Sequence, residues 1–202
     1  MATVIVHTAG LLTTVQDRGR YGYQRFGMPV SGAMDVFTLE LANLLVGNDA
    51  GDACLEVTIS GPELEFTGAT WIAITGADMD PRLNGMGIPM NTAVDARPGD
   101  RLGFRGLKSG YRTYIAFAGG ISVPPVMGSR STYLRAGIGG FQGRVIMPDD
   151  ELPLGESIGK PRLKRIPEGF IPEYKHEQTI RIISGPEAHY FEIQGLRSFL
   201  ST

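Results

Sequence analysis

Three stretches of this chain combine residue types that can do chemistry. Asp17 stands between Gln16 and Arg18, with Arg20 nearby. A neighbouring guanidinium keeps a carboxylate ionised, which suits structural pairing as well as acid–base work. Arg130 sits within Gly128-Ser129-Arg130-Ser131-Thr132, one guanidinium among three hydroxyls. Such a group can hold a carboxylate or phosphate, or it can satisfy only its own loop backbone. Asp78 follows the apolar run at 71–75 through Gly76-Ala77, so it falls at a strand end where functional loops gather; ordinary turn chemistry accounts for it equally. Asp35 and Glu56 complete the acid–base candidates. Ser31, beside Gly32, is a nucleophile only if a base lies close, and a helix N-cap otherwise.

Familiar phosphate-loop signatures are missing. Gly137-Ile-Gly139-Gly140-Phe-Gln142-Gly143 departs from G-x-G-x-x-G because Gln142 takes the last glycine place. That loop either exposes amides to an anion or forms a tight turn. The 202 residues contain no G-x-x-x-x-G-K-[ST] loop. His7, His176, His189 and Cys54 are too widely separated for a zinc-ligand spacing. The single cysteine excludes an intrachain disulfide and fits a reduced, cytoplasmic setting, with Cys54 as a small core residue. A net charge of −2 and one short basic tract at 160–165, flanked by prolines, argue against a nucleic-acid binder. The apolar runs are too short to cross a bilayer, and the N-terminal residues do not read as a signal peptide.

The elements that would position these residues are mostly strands and turns. The chain has 28 glycines and 13 prolines, with no collagen period. Its hydrophobic fraction of 42% excludes wholesale disorder. Strands are expected at 3–6, 12–15, 55–59, 71–75, 101–104 and 111–117. One helix is expected near 33–46, with Ser31 as cap, an apolar stripe of Met34, Phe37, Leu41, Leu44 and Leu45, and a stop at Gly47-Asn48. This is a mainly β chain, a barrel or sandwich-like core. Prolines 153, 161, 167 and 172 mark a linker over 153–178. Beyond it, 179–183 reads as a new strand followed by Ser184-Gly-Pro-Glu187, which echoes Ser60-Gly-Pro-Glu63 as a weak internal repeat.

Taken in order, several motifs resemble the biotin-dependent carboxyltransferase-like family, whose members include the second subunit of allophanate hydrolase and the C subunit of 5-oxoprolinase. They are Thr14-Val-Gln-Asp-Arg-Gly-Arg-Tyr-Gly22, Gly27-Met-Pro-Val-Ser-Gly-Ala-Met-Asp35 and Ala42-Asn-Leu-Leu-Val-Gly-Asn48. Leu55-Glu56, Ser60-Gly-Pro62, Thr75-Gly-Ala-Asp78, Gly110-Tyr-Arg-Thr-Tyr114 through Ala118-Gly119-Gly120, and Gly128 to Thr132 continue the match. The resemblance implies a cyclophilin-like β-barrel built as two related halves: residues 1–152 as one half, 153–178 as linker and 179–202 as the truncated start of the second. It also implies one part of an ATP-dependent hydrolase that converts 5-oxo-L-proline to L-glutamate together with its A and B subunits. Alternatives are a carboxyltransferase acting on urea or allophanate, or a regulator that binds a histidine-kinase inhibitor. ATP would be used through the complex. Biotin would arrive on another protein, since these residues include no Met-Lys-Met attachment segment. Within the matched motifs, Arg112 or Arg130 is expected to hold a substrate carboxylate, with Asp17 or Asp78 as polar partner. The backbone of Ala118-Gly119-Gly120 is expected to meet an oxyanion, and Ser31, Ser131 and Thr132 to line the substrate. Asp149 stands where the family usually has glycine, and aspartate tolerates the left-handed turn such a site demands.

Overall fold

A computed structural model describes residues 2–157, 159–161, 165–173, 177 and 179–201. Residues 162–164 of the basic tract, and His176, lie outside the described residues. In chain order the elements are β1 (Thr3–Thr8), β2 (Leu12–Gln16), α1 (Val36–Val46), β3 (Cys54–Thr58), β4 (Glu63–Phe66), β5 (Thr70–Asp78), β6 (Pro81–Leu83), β7 (Met86–Gly87), β8 (Ala93–Ala96), β9 (Arg101–Phe104), β10 (Ser109–Phe117), β11 (Glu151–Pro153) and α2 (Ile193–Leu200). The first sheet runs β11-β1-β4-β9-β6-β7 and the second β2-β3-β10-β5-β8. Their pairings are antiparallel. The mainly β expectation therefore holds. No helix among the described residues is long and apolar enough to cross a membrane.

Strand periodicity decides what each face of the second sheet presents. Val15, Leu55, Val57, Ile115, Phe117, Ile72 and Ile74 point inward. They meet Val4, Val6, Leu64, Phe66, Leu102 and Leu152 of the first sheet in one core. The alternate residues Cys54, Ala73, Tyr114 and Ala116 point outward, where Leu39, Ala42, Leu45 and Val46 of α1 cover them. β10 is thus buried on both faces, which explains its unbroken buried run from Thr113 to Phe117. Nearer the β2 edge the same outer face turns polar. Gln16, Thr14, Glu56, Thr58 and Arg112 lie there in register, with Thr14 opposite Glu56 and Glu56 opposite Tyr114.

Helix α1 departs from its expected form. It starts at Val36, capped by Asp35, whose Oδ1 accepts from the Thr38 amide at 3.0 Å. Ser31 is not the cap; it sits in the left-handed region at φ 55°. Met34 precedes the helix and is 72% exposed, and Phe37 and Leu44 are exposed too. The docked face instead uses Leu39, Leu41, Ala42, Leu45 and Val46, together with polar Thr38 and Asn43. Hydrogen bonds select this face. The Thr75 hydroxyl donates to the Thr38 carbonyl at 2.9 Å, and the Asn43 side-chain amide donates to the Asp52 carbonyl at 2.8 Å. Gly47 ends the helix at φ 81° as expected. Asp149 indeed adopts φ 68°.

The later residues also differ from expectation. Leu152 and Pro153 belong to β11, paired with β1, so the expected boundary falls inside a strand. Ile166 is buried against the α1 cluster, and its amide donates to the Asn91 carbonyl. Residues 179–183 form no strand: Ile180, Ile182 and Ile183 are exposed, and a strand needs a neighbour to pair its backbone. The Ser-Gly-Pro-Glu echo is not conformational either. Glu63 opens β4, whereas Glu187 leads into a 3₁₀ turn at Ala188–Tyr190.

Candidate functional site

Beyond β2 the chain turns through Asp17 and Gly19 and crosses the segment at 30–33 backbone on backbone. A Cβ at Gly19 would stand 2.7 Å from the Ser31 carbonyl oxygen, and one at Gly32 would stand 2.7 Å from the Gly19 nitrogen. Both glycines also have positive φ, so glycine meets two demands at this crossing. The Arg20 amide donates to the Val30 carbonyl, and the Ala33 amide to the Asp17 carbonyl.

Asp17 is the node of the site. Its Oδ1 accepts from the Gly19 amide at 2.7 Å and from the Ser129 hydroxyl at 2.6 Å; its Oδ2 accepts from the Arg130 amide. Since the Ser129 proton goes to Asp17, the Ser131 hydroxyl, 2.8 Å away, is the donor to Ser129. The Ser131 amide donates to the same oxygen at 3.0 Å. The Thr132 hydroxyl and amide both donate to the Val15 carbonyl, and the Ser31 hydroxyl donates to the Thr132 carbonyl at 2.8 Å. Asp17, Ser31, Arg130, Ser131 and Thr132 are therefore brought together as one cluster. Within it the Asp17 oxygens are already engaged in joining two loops.

A second polar group adjoins the first through Gln16, whose amide nitrogen donates to the Thr14 hydroxyl and the Thr132 carbonyl. Glu56 Oε2 accepts from the Met34 amide at 2.7 Å and from the Tyr114 hydroxyl at 2.8 Å, while the same hydroxyl accepts from the Asp35 amide. Burial, then the Glu56 charge, pushes the Tyr114 phenol well above its ordinary range, so it stays a donor. Arg112 places Nε 3.7 Å from Glu56 and donates from Nη1 to the Thr58 hydroxyl. The two candidate arginines thus differ. Arg112 faces a carboxylate, whereas Arg130 donates its Nε to the Val123 carbonyl and has no ion pair among the described residues.

Other expected site residues lie outside this network. Asp78 accepts from the Asp80 amide and faces Lys108, in a separate cluster with Asp80 and Arg82. The oxyanion expectation for 118–120 meets a geometric objection. The Ala118, Gly119 and Gly120 amides already donate to the Trp71 carbonyl, the Asn48 side chain and the Phe117 carbonyl, each at 2.8 Å. Gly119 instead lines a cavity of about 160 Å³ with Asn48, Asp49, Asp52 and Glu156. In the 137–143 loop the amides of Gly137, Ile138, Gly140 and Gly143 are likewise bonded to chain carbonyls, which fits the tight-turn reading. Sequence reasoning did not single out Gln16, Arg20 or Tyr114 as site residues. Their roles depend on burial and on partners more than a hundred residues away for Gln16 and Arg20.

Residues 26–202 match the family described as carboxyltransferase domain, subdomain A and B. The chain is 41% identical over 184 residues to the C subunit of 5-oxoprolinase from Escherichia coli (strain K12), covering 91% of this chain and 58% of that protein. It is 37% identical over 201 residues to urea amidolyase of Saccharomyces cerevisiae, covering 95% of this chain and 11% of that one. The Kluyveromyces lactis urea amidolyase crystal structure matches with a TM-score of 0.81 at 35% identity, over 86% of this chain and 11% of that chain. The crystal structure of TTHA0988 matches with a TM-score of 0.85 at 32% identity, over all of this chain and 39% of that one. The chain thus spans little more than half the length of its bacterial relative. The extent of these matches, together with the two-sheet architecture, shows that the chain belongs to the carboxyltransferase domain family, subdomains A and B.

Proposed function

We propose that this chain is part of a 5-oxoprolinase C subunit, which acts with the A and B subunits to hydrolyse 5-oxo-L-proline to L-glutamate at the expense of ATP. The carrying observation is the 41% identity to a protein of that name across 91% of this chain. The site supports a carboxylate-bearing substrate. The Arg130 guanidinium forms no close ion pair among the described residues, with Asp52 acting on it only at longer range, and Asp17 fixes its backbone amide. Arg130 is therefore the favoured substrate-carboxylate holder, ahead of the Glu56-facing Arg112. The glycine loops at 118–120 and 137–143 do not fit a triphosphate cradle, since their bonded amides are already turned inward. In this reading ATP and any biotin belong to the other proteins of the complex.

The test is ATP-dependent glutamate release from 5-oxo-L-proline by the full-length protein together with the A and B subunits. Activity is expected. Arg130→Ala should raise KM about ten- to a hundredfold, the loss of one charged hydrogen-bonded contact. Unchanged kinetics would remove Arg130 from the site. A second reading, a urea-type carboxyltransferase, is favoured by the yeast matches. Urea-dependent ATP turnover without glutamate release would select it.

A further inference from the structure

The Arg20 guanidinium is the least compensated charge among the described residues. Arg20 is 1% exposed, among the largest fully buried side chains. Its side chain makes one hydrogen bond, from Nη2 to the Ser131 carbonyl. Nε and Nη1, which carry three of its five N–H donors, are buried without a hydrogen-bond partner among the described residues. No carboxylate of the described residues lies within ion-pair distance of it. Asp17, three residues earlier, directs its oxygens to Gly19, Ser129 and Arg130 instead. A second orphan accompanies it. Gln16 Oε1 is also buried and unpartnered, and the Gln16 amide sits on the Thr132 carbonyl, next in chain to the carbonyl that holds Arg20. The surrounding loop is stripped of side chains at this point: a Cβ on Gly139 would stand 2.7 Å from Arg20 Nη2.

A buried cation without a counter-charge is far more costly than a buried neutral group, and proteins resolve it by pairing. We propose that Arg20 holds a small monoanion, of the size of a halide or a one-carbon carboxylate, inside the junction of the 17–20 and 129–132 loops. The anion supplies the missing acceptor for Nε or Nη1. A species with its own donor, such as bicarbonate, also reaches Gln16 Oε1, directly or through one water. Because Arg20 grips the Ser131 carbonyl, occupancy braces the loop that presents Arg130. This inference does not depend on which reaction the protein performs.

The test uses the complete protein at constant ionic strength, replacing gluconate stepwise by chloride, formate or bicarbonate and following Tm. A saturable rise of a few degrees is expected, because a ligand bound only by the folded state stabilises it. The order of half-saturation among the three anions separates a halide site from a carboxylate or bicarbonate site. Arg20→Gln should abolish the response, while Arg25→Gln, at an exposed position, should keep it. Should Arg20→Gln fail to fold, bromide soaked into wild-type crystals gives a second readout, with an anomalous peak expected beside Nε or Nη1. Only water at that position, or an equal anion response in Arg20→Gln, overturns the proposal.

Discussion

Replacing Asp17 by alanine removes the acceptor for three donors at once: the Gly19 amide, the Ser129 hydroxyl and the Arg130 amide. Ser129 is buried, so water cannot simply take the place of the carboxylate for its hydroxyl. Each buried donor left unpaired costs about 1–3 kcal/mol. With the Gly19 amide partly rehydrated in its loop, the sum is about 3–5 kcal/mol, against a total stability of about 5–15 kcal/mol for a domain. Asp17→Asn keeps one acceptor oxygen and should cost about half as much. Equilibrium urea unfolding followed through Trp71, the sole tryptophan, reads this directly. At an m-value of about 2 kcal/mol/M, the midpoint for Asp17→Ala should fall by about 1.5–2.5 M with m unchanged. Asp95→Ala, which removes an exposed surface ion pair, should leave the midpoint nearly in place. A loss below about 1 kcal/mol for Asp17→Ala would refute the reasoning, because the two loops would then be joined by something other than this carboxylate.

Three further outcomes are expected. Asp35→Ala removes the α1 cap on the Thr38 amide and should lower stability by about 1–2 kcal/mol in thermal or urea unfolding. The Cys54 thiol is pushed far above its ordinary value, chiefly by burial; in native protein at pH 8, iodoacetamide should leave it unmodified by mass spectrometry, with modification appearing only on unfolding. The Asp150 carboxyl is held below its ordinary range first by two hydrogen bonds from Arg144, each at 2.7 Å. A depressed folded pKa adds stability above the ordinary carboxylate pKa and loses it as pH falls. The stability gap between wild type and Asp150→Asn should therefore be constant from about pH 5 to 7 and shrink below about pH 4; a gap independent of pH down to 3 would exclude the pair as its source.

Most of the framework was legible in the chain itself. Alternation at Thr3–Val6, the apolar run at 71–75 and the helix stop at Gly47 mark strands and a helix end through local geometry, which needs no distant partner. The short strands β4, β6, β7, β8 and β11 went unread, since two to four residues carry too little period and their pairing is supplied by neighbours. Likewise, the docked face of α1 differs from its apolar stripe because Thr38 and Asn43 bond to the sheet and to the following loop, a choice made by position and not by hydropathy.

For the site, the sequence by itself determined which residues could do chemistry and that they gather in a few glycine-bearing loops. Residue type and local spacing suffice for that. Only the tertiary structure decided which of them meet: Asp17 with Ser129 and Arg130, Glu56 with Tyr114, and Arg20 sealed beneath Ser131 without a counter-ion among the described residues. Those outcomes depend on burial and on contacts across more than fifty residues of chain. Hydrogen-bond satisfaction and charge compensation are properties of the folded environment, so the composition of a loop cannot express them.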